Sequence, residues 1–210
     1  MGCDIHLFVE RKTDGGWVHV PSPPNWGNDE LALVDRPLKS WERDWFHDRN
    51  YTLFTWLADV RRDTDGMPAL APPRGTPPKL SRAVRHQRDR WNGDGHSHSW
   101  FTVAELQAGL SGLTTEEKGR MPAGVYESWK TSGDDYPSSW YGWCSSAAVT
   151  ISESEYKLRR DNGALPPSFD IEVIWKVPAD RAFTRFAKLL THLSTIGSPE
   201  DVRLVFWFDN

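Results

Sequence analysis

Alternation of apolar and polar residues starts almost with the first residue. Over 3–10, Cys3, Ile5, Leu7 and Val9 fall on one face of an extended strand, and Asp4, His6, Phe8 and Glu10 on the other. Asp14-Gly15-Gly16 reads as a turn and 17–20 as the returning strand of an antiparallel hairpin. Residues 21–50 mix Pro, Trp and Asp without a sustained period, which predicts a long ordered excursion. The stripe Leu53, Phe54, Leu57 and Val60 predicts a short helix. Pro68, Pro72, Pro73, Pro77 and Pro78 predict a long loop over 61–79, of the kind that often covers a site. Arg82, Arg85, Arg88 and Arg90 lie in a basic stretch, 81–91, expected to be helical.

Thr102-Val103-Ala104-Glu105 has the form of a capping box, so a helix should begin directly after a polar loop holding His96 and His98 and run to about Gly109. Residues 114–120 and 124–130 look like short helical pieces, and 131–142 like another polar, aromatic loop. A strand over 147–151 should lead into a second capping box, Ser152-Glu153-Ser154-Glu155, and a short helix. Residues 169–177 alternate as a half-buried strand. Over 179–196, Phe183, Phe186, Leu189, Leu190, Leu193 and Ile196 share one side of an amphipathic helix that Gly197 ends. The nearly continuous apolar run 202–208 predicts a strand in a central position. These elements imply an α+β class. One domain over 1–210 is expected, with a mostly antiparallel central sheet containing the N- and C-terminal strands, packed by helices and carrying long ordered loops.

At 210 residues and 38% apolar content the chain can bury a sizeable core. A net charge of −4 gives no global basic field of the kind that holds long nucleic acids, yet leaves room for a small anionic ligand. No apolar run approaches the ~18 residues that span a bilayer, and the N-terminus lacks the apolar core of a secretion signal. No membrane association is expected, and the cytoplasm is the expected compartment. Cys3 and Cys144 read as free thiols, with Cys3 in the core. The oligomeric state stays open, a homo-oligomer included.

The candidate chemistry lies in two histidine motifs. Asp4 and His6 are two apart on a strand, and His96 and His98 are two apart after Gly95, so each pair should point to one side. Three imidazoles and a carboxylate converging on one point would hold a divalent ion such as Zn, Mn, Ni or Fe. Asp94 would act in catalysis as an outer carboxylate or as a further ligand, with His47 as a base and Arg49 as a guanidinium for phosphate. The plainer readings are a turn cap for Asp4, a hydrogen-bonded edge residue for His6, and a helix start for Asp48 or Asn50. Arg74 in the Pro-rich loop and Trp91, Trp140 and Trp143 would bind substrate, the arginine through charge and the indoles by stacking a base. Twelve tryptophans are unusual, although most should simply cap apolar surface. Whether Asp48, Asp209 or Asn210 joins the site is left unassigned.

Asp4-Ile5-His6 and Gly95-His96-Ser97-His98 resemble the opening and closing motifs of calcineurin-like metallophosphoesterases. That family's middle motifs, Gly-Asp-x-x-Asp and Gly-Asn-His-Asp/Glu, do not occur between them, so the likeness covers seven residues. A broader resemblance runs through Met1-Gly2-Cys3-Asp4-Ile5-His6, Arg49-Asn50-Tyr51-x-Leu53-Phe54, Pro73-Arg74-Gly75, Asp94-Gly95-His96-Ser97-His98-Ser99-Trp100 and Val205-Phe206-Trp207-Phe208-Asp209-Asn210. These segments resemble a family of small phage and prophage proteins, which implies a phage-encoded protein of the host cytoplasm. Residues and resemblance together lead to the expectation of a metal-dependent hydrolase, a phosphodiesterase for a nucleotide or cyclic nucleotide signal. The alternatives are a phage protein that sequesters such a signal without turnover, and a host-interaction protein.

Overall fold

The computed structural model describes residues 2–23, 45–62, 67–91, 93–142 and 149–209. Its contacts divide the chain into two compact units, Met1–Gly112 with Phe183–Asn210, and Leu113–Ala182.

The first unit is built on a four-stranded antiparallel sheet ordered β2-β1-β7-β3, from β1 (Asp4–Thr13), β2 (Gly16–Val20), β3 (His96–Thr102) and β7 (Val202–Asp209). The N- and C-terminal strands pair along nearly their whole length, from Asp4 opposite Asp209 to Arg11 opposite Val202. Strand β7 lies between β1 and β3 and is buried from Val202 through Phe208, the central position its apolar run predicts. On one face Ile5, Leu7, Val9, Phe101, Leu204, Phe206 and Phe208 are all buried. Helix α1 (Tyr51–Ala58) packs there, Phe54 meeting Phe208 edge-on. Two further helices, α3 (Val103–Leu110) and α7 (Thr184–Leu193), pack on each other in the same unit.

Helix ends follow their local chemistry. The Asn50 side chain accepts from the Leu53 N–H to start α1, and Thr102 and Glu105 form both bonds of a capping box at α3. The expected single helix over 179–196 is instead broken into α6 (Ala179–Ala182) and α7. Phe183 sits between them at φ −110°, ψ 39°, buried beside Trp56, and its tertiary packing overrides continued helix.

The opposite face of this sheet carries Asp4, His6, Phe8 and Glu10 of β1 with Asp209, Trp207, Val205 and Arg203 of β7. Over it lies α2 (Arg82–Arg90), whose Val84 packs with Leu80, Val205 and Trp207, and with the partly buried Phe8, Trp91 and Trp100. At one end of this face Glu10 and Arg203 form a buried ion pair, with Nε and Nη2 2.8 and 2.7 Å from Oε2. The other Glu10 oxygen accepts from the Ser81 N–H (2.8 Å), and the guanidinium lies 3.9 Å over the Trp17 ring. Ser81 in turn caps α2 by accepting from the Val84 N–H. The buried pair therefore ties the start of α2 to the sheet.

The second unit has a three-stranded sheet ordered β4-β6-β5: β4 (Thr114–Pro122) antiparallel to β6 (Asp170–Pro178), and β5 (Thr150–Ser152) parallel to β6. Helices α4 (Ala123–Ser132) and α5 (Glu153–Asp161) contribute Tyr126, Trp129 and Tyr156 to its core with Met121, Ile171, Val173 and Trp175. The expected helix at 114–120 is a strand. Nine consecutive pairings with β6, and burial of Thr115, Gly119 and Met121 on alternate positions, outweigh the helix preference of Glu116, Glu117 and Lys118.

Candidate active site

Because Asp4 and Asp209 lie opposite each other, the pairing of the two terminal strands brings two carboxylates together. Backbone and side chains keep them apart electrically. The Asp4 N–H donates to Asp209 Oδ1 (3.1 Å), and Asp209 Oδ2 lies 3.1 Å from His6 Nε2. Asp4 faces Arg49 in a two-pronged pair, Nε to Oδ1 at 2.5 Å and Nη2 to Oδ2 at 2.8 Å. Those hydrogen bonds and the positive charge hold the Asp4 carboxyl below its usual range. Arg49 also lies against the backbone of Gly2, where a Cβ would stand 3.0 Å from Nη1.

His6 is gripped on several sides. The Asp209 carboxylate accepts from the Nε2–H, which leaves Nδ1 free of that contact. The ring lies 4.1 Å from that of Trp91, which caps the end of α2, and 5.9 Å from Trp207 across the strand pair. His6 and Asp209 side chains are each 18% exposed, so solvent still reaches the dyad.

His98 stands on the same face. Its ring stacks on Trp207 from the β3 side at 5.7 Å. Since β7 separates β1 from β3, the indole of Trp207 lies between the two imidazoles. Burial, reinforced by the positive charge of Arg88 and by His96, pushes the His98 pKa down, so the ring is neutral at pH 7.

His96 goes elsewhere. It pairs with Phe208 while Ser99 pairs with Phe206, so three steps along β3 cover two along β7. The extra residue is a bulge at Ser97, with φ +50°, and it reverses the alternation. His96 therefore shares the Phe208 face, stacked on that ring at 6.2 Å with Nδ1 3.0 Å from the Ser97 hydroxyl. Both histidines lie on an edge strand rather than in the expected loop.

The four expected metal ligands are thus not brought together. Asp4 is engaged with Arg49, His6 with Asp209, His98 lies beyond Trp207, and His96 is on the opposite face. Among the described residues no group of three His, Cys, Asp or Glu side chains is arranged to hold a metal ion.

The remaining expected site residues scatter. Asp94 is exposed in the Trp91–Gly95 turn, its N–H bonded to the Trp91 carbonyl (3.1 Å). His47 is exposed ahead of α1, and Asn50 rather than Asp48 caps that helix. Arg74 pairs with Glu105 (2.9 Å) and lies 4.2 Å over Phe101, at the β3 edge. Of the expected substrate residues that are described, Trp91 joins the His6 cluster and Arg74 and Trp140 do not. Trp140 belongs to the second unit, against Trp175, and Trp143 lies outside the described residues. Gly95 does what its position suggests: a Cβ there would stand 3.2 Å from Trp207 Cδ1 and 3.3 Å from the Trp91 carbonyl, so glycine lets the turn close over the site.

Asp209 and Trp207 are the partners sequence reading leaves out. The alternation of β7 places both on the polar face, a signal visible only once Asp4 is known to pair with Asp209. Among the described residues no helix is long and apolar enough to cross a membrane. No family model, curated protein or solved structure matches the chain.

Proposed function

We propose that the chain is a phosphodiesterase for a nucleotide, working by proton transfer between two imidazoles. The observation that carries this reading is the placement of His6 and His98 on one sheet face, flanking Trp207, with Asp209 fixing the first and burial keeping the second neutral. In this scheme neutral His98 takes a proton from the attacking water as the new P–O bond forms. His6 gives a proton from Nδ1 to the departing alkoxide as the old P–O bond breaks, and the Asp209 carboxylate holds the ring by its Nε2 side. Arg88 supplies positive charge beside His98.

A second reading is sequestration without turnover. It is favoured by one observation, the Trp207 indole filling the space between the imidazoles.

Turnover of bis(p-nitrophenyl) phosphate and of cyclic and linear dinucleotides, with and without EDTA, separates the readings. Native protein should hydrolyse a phosphodiester in the presence of EDTA, and His6→Gln or His98→Gln should each lower kcat by about 100-fold or more, the range for loss of a positioned acid or base. Nucleotide binding without turnover would establish sequestration instead, and turnover abolished by EDTA would return the chemistry to a metal.

A further inference from the structure

Helix α2 reaches the His6 site with its C-terminal end, where the Trp91 ring lies 4.1 Å from that of His6, and carries a row of positive charge away from it. Arg82, Arg85 and Arg88 are three residues apart and share one side of the helix. Arg82 and Arg85 are exposed, and among the described residues no carboxylate pairs with either, while Arg85 Nη2 donates to the Leu80 carbonyl (3.1 Å). Arg88 pairs through Nε and Nη2 with its neighbour Asp89 and reaches the Thr76 hydroxyl at 3.5 Å. Its charge is felt at His98. In a chain of net charge −4, a local run of cations on an anchored helix is a short-range feature that cannot draw ligands from afar. It suits a partner with regularly spaced negative charge laid directly along it.

From this geometry we infer that α2 docks the sugar-phosphate backbone of a short single-stranded nucleic acid, its phosphates on Arg82, Arg85 and Arg88 and a base against the exposed part of Trp91. An arginine row beside an aromatic platform is the combination that holds single strands without sequence preference. The inference rests on the phosphodiesterase reading and deepens it: the substrate is an oligonucleotide, and the row aims a phosphodiester at His6 and His98. A single nucleotide would engage the platform but not the row.

Fluorescence anisotropy of labelled 12-nucleotide RNA and DNA strands, against a labelled mononucleotide, tests the docking independently of turnover. Native protein should bind at least one 12-mer at least 10-fold more tightly than the mononucleotide. The plot of log affinity against log salt should have a slope of about −2, as about three neutralised phosphates give on a single strand. Arg82→Gln/Arg85→Gln/Arg88→Gln should remove that advantage and flatten the slope. Asp89→Asn, which deletes the acid beside the row, should tighten binding several-fold and guards against misreading a misfolded triple variant. Equal affinity for 12-mer and mononucleotide, or a 12-mer affinity unchanged in both variants, would overturn the inference. If the 12-mer binds through the row but is never cleaved, docking stands and the phosphodiesterase reading fails. If a dinucleotide is cleaved with no 12-mer preference, the reverse holds. RNA and DNA arms show whether the 2′-hydroxyl contributes.

Discussion

At the scale of single residues, His98 couples the site to stability. Its pKa is depressed in the folded chain by burial first, then by Arg88 and His96. A depressed histidine contributes stability that is present above the unfolded value, near 6.5, and lost as pH falls and the unfolded chain takes up the proton more readily. Urea denaturation at pH 7 and pH 5 should therefore show native protein losing more stability than His98→Gln over that interval. Some loss should persist in the variant because half-buried His19 is depressed in the same direction. A variant with the native pH dependence would show that His98 is not held neutral. Asp4 is the counter-example at the same scale. Its strand position and spacing from His6 were legible, but not its partner, since Arg49 reaches it from the segment ahead of α1, across 45 residues of chain.

At the scale of elements, α2 is held over the site by the Glu10–Arg203 pair, whose side chains are 0% and 2% exposed. Burial pushes the Arg203 pKa down, but the Glu10 carboxylate beside it keeps the charge compensated. Glu10→Gln keeps an oxygen for the Ser81 N–H yet strands the guanidinium without a counter-charge. The expected cost is about 3–5 kcal/mol of unfolding free energy, the range for breaking a buried pair by removing one partner. A loss below about 1 kcal/mol in urea titration would mean that the pair does not anchor the helix. Elements marked by local chemistry were legible: the hairpin β1–β2, the caps of α1, α3 and α5, and the central strand β7. Elements decided by a distant partner were not. Thr114–Pro122 is a strand because β6 is there to pair with it, and the helix over 179–196 breaks because Phe183 is claimed by the core around Trp56.

At the scale of the whole molecule, the first unit needs both ends of the chain. Residues 113–182 form their own unit within the sequence, and only β7, arriving last, places Trp207 and Asp209 between β1 and β3. The histidine motifs were therefore legible as chemistry but not as a site: one bulge at Ser97 turns His96 away, and the C-terminal strand supplies what the motifs lack. His6 and His98 share one face of the sheet while His96 does not. Nitrogen-15 NMR of the imidazoles during titration with a dinucleotide tests this directly. The His6 and His98 ring signals should shift together and saturate at one ligand per chain, while those of His96 stay in place. A joint shift of His96 and His98, with His6 unmoved, would contradict it.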